Sequence, residues 1–231
     1  MKLYGIQKTS LVDYPGHICA TLFTKGCNMR CSFCHNPDLV LPSRKLDAID
    51  EDEIIEFLQK RKGLLEGVCI TGGEPTLHTE LPLFIKKIKA LGYLIKLDTN
   101  GTNPKMVKSL IDDNLIDFVA MDVKASVANY HTVCKLPKGL MANVLETINL
   151  LKMNFIPYEF RTTIVRGMHD KNDLYNLCQL IKGCPRYTLQ KSLNSNALEP
   201  ELRSVANFTD TEMETFTSYV RKELDCDVCW K

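Results

Sequence analysis

The sequence predicts an α/β fold in which parallel strands, each followed by a helix, curl into a partial (β/α)6 barrel. Three observations predict it. Short apolar runs alternate with stretches of helical periodicity six times along the chain. No composition break, internal repeat or low-complexity segment interrupts that alternation, so a single domain over 1–231 is expected. A chain of 231 residues with 45% hydrophobic and 25% charged residues also has enough apolar material for one sizeable core.

The elements follow in order. The first strand is the apolar run 18–23, after which the chain enters the loop Lys25-Gly26-Cys27-Asn28-Met29-Arg30-Cys31-Ser32-Phe33-Cys34-His35-Asn36-Pro37. Asp50-Glu51-Asp52-Glu53 opens a helix that runs through Gln59, with Lys60-Arg61-Lys62 and Gly63 at its end, matching the helix dipole. A buried strand is expected at 67–70. A helix begins at Leu81-Pro82, with Leu83, Phe84, Ile88 and Leu91 at helical spacing before Gly92. Strands then follow at 94–97, 118–121, 158–165 and 187–189. The helices between and after them lie at 104–113, about 140–152, 173–181 and 211–224. The stretch 192–207 is the longest unassigned loop, and 192–231 reads as a lid or partner-binding extension.

Net charge is +1, which gives no basis for a nucleic-acid or membrane-surface partner. The first residues lack the basic-then-apolar pattern of an export signal, and no apolar run reaches membrane-spanning length. Ten cysteines in such a chain read as reduced thiols in a cytoplasmic, oxygen-poor setting.

Cys27, Cys31 and Cys34 form a C-x3-C-x2-C set within eight residues. Thiolates this close suit one soft metal centre, and three ligands leave one iron of a four-iron cube open. Structural zinc is the competing reading, but it wants four ligands. Only His35 is at hand, and it directly follows Cys34. Barrels of parallel strands carry their chemistry at the C-terminal strand ends, and polar segments fall there. These are Thr71-Gly72-Gly73-Glu74-Pro75, Asp98-Thr99-Asn100-Gly101 and Asp122-Val123-Lys124. Glycine lets backbone approach a ligand closely, and Glu74 suits an ammonium group. Asp122 and Lys124 alternate onto one face, where a buried ion pair is the plain account. Cys226-Asp227-Val228-Cys229 reads as a redox dithiol, as half a metal site or, preferably, as a mobile tail with spare thiols.

The cysteine motif, with Phe33 before its last cysteine, resembles the signature of the radical S-adenosylmethionine (SAM) superfamily. Cys34-His35-Asn36 and Ser10-Leu11-Val12-Asp13-Tyr14-Pro15-Gly16 bring it closest to activases of glycyl radical enzymes, particularly those serving anaerobic ribonucleotide reductase. The likeness runs from about Gln7 to Val165. It implies a [4Fe-4S] cluster on Cys27, Cys31 and Cys34, with SAM on the open iron. One electron from a low-potential donor such as flavodoxin or ferredoxin would yield a 5′-deoxyadenosyl radical, which removes a hydrogen atom from a partner's glycine. By the same resemblance Gly72, Gly73 and Glu74 hold the methionine amino group. Asp98 and Asn100 hold ribose and carboxylate, Asp122 and Lys124 the carboxylate, and Phe33 and Val165 line the cofactor site. Asp13 and Lys124 are the candidates for a direct part in the reaction. Two departures stand out. No cysteine-rich insert follows the motif, the next cysteine being Cys69, and Gln190-Lys191-Ser192 stands where activases often have a histidine.

Overall fold

The computed structural model describes residues 1–42 and 45–231. Eight strands form one sheet in the order of the chain. β1 (Gly5–Ser10) is antiparallel to β2 (Cys19–Thr24), and every later neighbour is parallel. These are β3 (Gly67–Gly72), β4 (Leu94–Thr99), β5 (Phe118–Asp122), β6 (Tyr158–Ile164), β7 (Arg186–Lys191) and β8 (Asp227–Trp230). Among the described residues β1 pairs only with β2 and β8 only with β7, so the barrel remains open at that side. The six strands legible in the sequence are β2 to β7.

The helices are α1 (Pro37–Val40), α2 (Glu51–Lys60), α3 (Leu81–Ala90), α4 (Pro104–Asp112), α5 (Tyr130–Cys134), α6 (Leu140–Lys152), α7 (Lys171–Ile181) and α8 (Asp210–Glu223). Their starts follow from local chemistry. Pro104 and Asn103 open α4, the Asp170 carboxylate caps α7, and Thr209 and Glu212 form a reciprocal box at α8. No helix of the described residues is long and apolar enough to cross a membrane.

Strand alternation divides the sheet into two unlike faces. One presents Leu22, Ile70, Leu97, Val119, Phe160 and Leu189, all fully buried in one core with the apolar sides of the helices. The other, concave face carries cross-strand neighbours of a different kind: Thr21, Cys69 and Lys96 in one row, Asp122, Arg161, Thr188 and Cys229 in another. Near the N-terminal strand ends it has only a small apolar floor of Tyr14, Cys19 and Cys69.

The C-terminus departs from expectation. Residues 227–230 are not a loose tail but a paired strand, held by α8 through Arg221 to Val228 O (2.9 Å) and Trp230 Nε1 to Glu214 (2.6 Å). The run is short and charged, so only pairing to β7 reveals it.

Candidate functional site

The loop after β2 is held by its own backbone. Gly26 N donates to Leu39 O (2.7 Å), and the Arg30 guanidinium donates to Cys27 O (2.6 Å) and Met29 O (2.8 Å). Its far side rests on α5, where Arg30 N and Ser32 N donate to the carbonyls of Cys134 (3.0 Å) and Val133 (3.4 Å). Cys31 is buried, and Cys27 and Cys34 are half-buried. Burial pushes the Cys27 thiol up to about 12 and raises Cys34 as well. Cys31 is raised first by the neighbouring Cys134 thiol and then by burial. The positive charge of Lys124 pulls all three the other way. Such thiols become thiolates when a metal centre supplies the positive charge.

The surroundings fit an iron–sulfur cluster. Met29 N–H and the Asn100 amide point at Cys27 Sγ (3.4 and 3.8 Å), the kind of donors that steady a cluster's thiolate sulfur. No three Cys, His, Asp or Glu side chains among the described residues gather to single-ion spacing.

The segment after β3 locks onto this loop. Gly73 N donates to Thr24 O (2.9 Å) and Glu74 N to Gly26 O (2.8 Å). A Cβ on Gly73 would lie 2.0 Å from Gly26 O, and one on Gly72, at φ +119°, 2.4 Å from Thr24 N and O. Both glycines therefore let this turn close directly onto the cysteine loop. Glu74 is 1% exposed. Its Oε1 accepts from Thr76 N (3.1 Å), Thr76 Oγ1 (2.5 Å) and Thr99 Oγ1 (2.8 Å), and its Oε2 accepts from Asn100 N (2.6 Å). Burial raises its carboxyl against the pull of these donors. Glu74 is thus a bracket between the ends of β3 and β4, and the structure does not present it to a ligand's ammonium group. Asn100, which it fixes, stands between the Asn28 amide (3.0 Å) and Cys27.

Below the loop the concave face carries a line of alternating charges. Lys96 pairs with Asp98, and Asp98 with Arg161 Nη1 (3.0 Å). Arg161 Nε reaches Asp122 (2.8 Å), and Asp122 pairs with Lys124 Nζ (2.7 Å). The buried Glu159 also acts on Arg161, so the three cations of this face meet three carboxylates, with Lys124 at the cysteine end. Burial works against Asp98 and Asp122, yet the cations beside them hold both carboxyls below the ordinary carboxylate range. Asp98 is spent on Lys96 and Arg161, so its expected contact with ribose competes with two ion pairs.

Val165 is buried at the end of β6, and Phe33 is buried in the core. Val165 N–H donates to His169 Nδ1 (3.1 Å), so Nε2 carries the ring proton and donates to Lys124 O (2.8 Å). A lone histidine in the turn before α7 gives no sequence signal of this bridging role. Lys96 and Cys134 were equally silent, being single residues inside ordinary elements. Asp13 is not brought to the others. It lies before β2, and its Oδ2 accepts from Thr21 (2.6 Å), about 10 Å below the strand's end. A direct role for Asp13 would require the substrate to reach that end of the concave face. The segment 192–207 crosses to the cysteine loop, with Asn196 Nδ2 on His35 O (2.8 Å) and Glu199 N on Ser32 O (3.0 Å).

Comparison with known proteins agrees with this geometry. The family model for the radical SAM superfamily matches residues 21–180. A Methanocaldococcus jannaschii protein, whose name places it among glycyl-radical enzyme activating enzymes, is 31% identical over 96% of this chain and 92% of its own. The pyruvate formate-lyase-activating enzyme of Staphylococcus epidermidis is 31% identical over 78% of this chain and 74% of its own. Among solved structures, TYW1 with a lysine-pyruvate adduct superposes with a TM-score of 0.66 over 89% of this chain and 74% of its own, at 17% identity. Streptococcus suis SuiB bound to S-adenosylmethionine reaches 0.70 over 90% and 48%, at 12% identity, a likeness of fold alone. The chain belongs to the radical SAM superfamily, among its glycyl-radical-enzyme activating enzymes, and takes a [4Fe-4S] cluster and SAM as cofactors.

Proposed function

We propose that this enzyme abstracts a hydrogen atom from a backbone glycine of a partner glycyl radical enzyme. One observation carries the reading. A three-thiol loop is held over the Lys124 end of a charged concave face, in a chain similar along nearly its whole length to an activating enzyme. Cys27, Cys31 and Cys34 hold the cluster, which with SAM supplies one-electron cleavage to a 5′-deoxyadenosyl radical. Lys124 binds the SAM carboxylate, steered by Asp122 and by the His169 bond to its backbone. The backbone around Gly72 and Gly73 and the Asn100 amide take the remaining polar groups, while Glu74 fixes Asn100. Val165 offers adenine an apolar wall, and Phe33 packs beneath the loop. The partner docks over the open mouth, bordered by the 192–207 segment, and a flavodoxin- or ferredoxin-like protein delivers the electron.

The identity of the partner is a separate step. The likeness carried by Cys34-His35-Asn36 and the Asp13 segment favours anaerobic ribonucleotide reductase, whereas the curated relatives include pyruvate formate-lyase-activating enzymes. The test is anaerobic incubation of reduced enzyme and SAM with each type of glycyl radical enzyme, followed by electron paramagnetic resonance. A doublet that loses its splitting when the partner's glycine is deuterated supports the reading. Deoxyadenosine release with a consumed small metabolite, and no protein radical with any partner, overturns it.

A further inference from the structure

The C-x2-C pair near the C-terminus is not used as a pair. Cys229 faces Thr188 Oγ1 (3.5 Å) and Arg186 Nη2 (3.9 Å) on the concave side. Cys226, one residue before β8, turns to Cys184, two residues before β7, with 3.7 Å between the sulfurs. The parallel register of Arg186 with Asp227, and the bond from Asp227 N to Pro185 O (3.2 Å), set the two stems side by side. Neighbouring strands lie about 4.8 Å apart, within the span that a disulfide bridges. Cys184 is 2% exposed, whereas Cys226 is half-buried and reachable from solvent. The pair sits at the N-terminal ends of β7 and β8, the opposite end of the sheet from the cysteine loop.

We propose that Cys184 and Cys226 are a redox-active dithiol, which a small-molecule disulfide converts to an intrachain disulfide clamping β8 onto β7. Cys226, as thiolate, attacks one sulfur of the reagent and expels the first small thiolate. Cys184 then loses its proton and attacks the Cys226 sulfur, expelling the second. Two protein thiols are oxidised, and one disulfide is reduced to two thiols. Burial raises both thiols, so closure quickens as pH rises. The clamp bears on the site's support. Lys231 pairs with Leu189 and Lys191 (3.0 and 2.8 Å), where the chain leaves β7 for the segment that covers the cysteine loop.

The test is anaerobic titration of the full chain, reconstituted with iron and sulfide, with oxidised glutathione, then alkylation and peptide mass mapping. The expected product is one Cys184–Cys226 cross-link, reversed by dithiothreitol, with a thermal midpoint raised by about 5 °C or more. Cys178→Ala, beside the pair in the core, should keep the cross-link. Cys184→Ser should leave Cys226 as a stable glutathione adduct. A Cys226–Cys229 cross-link, or glutathionylation of wild-type Cys226 without closure, overturns the proposal. The wild-type map decides the matter even if a variant fails to fold.

Discussion

The two faces of this sheet are built from the same strands and by opposite chemistry. The convex face buries Leu22, Ile70, Leu97, Val119 and Phe160 against helices, and area removed from water holds it together. The concave face buries Lys96, Asp98, Arg161, Asp122 and Lys124, a set whose desolvation cost largely offsets its mutual attraction. A sheet that needed only stability would place apolar residues on both faces. The difference teaches that the inner face is kept charged for the site: its ion pairs hold the Lys124 cation where its charge acts on the three loop thiols.

The comparison is broken most severely at the cysteine loop. Replacing Cys27, Cys31 or Cys34 by Ala should abolish SAM cleavage and cut bound iron well below about four per chain, measured after anaerobic reconstitution. Cys229→Ala, on the same concave face but remote from the loop, should keep both. Next in size is the convex face. Phe160→Ala should cost about 3–5 kcal/mol in urea unfolding by loss of apolar contact and creation of a cavity.

Lys124→Met removes the cation at the end of the charge line while keeping its bulk. Loss of a charge-assisted bond of about 1.5–3 kcal/mol lowers SAM affinity roughly tenfold to a hundredfold, with iron content unchanged, as read by equilibrium binding to the reconstituted protein. Unaltered affinity would return Lys124 to a purely internal ion pair.

The smallest effect concerns pH. Asp98 and Asp122 are held below the usual carboxylate range, so the stability they contribute is complete above about pH 5 and is lost as pH falls through their lowered folded values. Lys96 and Lys124 meet a burial cost but are raised overall by their carboxylate partners. Their contribution is complete below about pH 10 and is lost as pH climbs through their raised folded values. The urea midpoint should therefore be flat across the neutral range as far as these groups are concerned, and Asp122→Asn should shallow its acid limb.

The convex face was legible in the sequence because apolar alternation and helical spacing are local signals, and β2 to β7 stand where those signals fall. β1 was not, since Gly5–Ser10 is a polar edge strand, and β8 was hidden by charge and brevity. The cysteine loop was legible as a motif. The roles of Glu74 and Asp13 were not, because a motif names a residue without its partners. Glu74 is consumed by four internal donors, and Asp13 accepts from Thr21 in the middle of β2, away from the strand end that carries the cysteine loop. Lys96 and Asp98 are neighbours on β4, but Arg161 reaches Asp122 and Asp98, 39 and 63 residues away, only once β4, β5 and β6 lie side by side.

The most direct measurement is the electron paramagnetic resonance spectrum of the dithionite-reduced, reconstituted enzyme, recorded with and without SAM. A cluster on Cys27, Cys31 and Cys34 predicts a single [4Fe-4S] signal whose g-values shift when SAM is added, and the proposed Lys124 contact predicts that this shift needs a higher SAM concentration in Lys124→Met. A signal indifferent to SAM in the wild type, or one that survives replacement of all three loop cysteines, would contradict the assignment of the site.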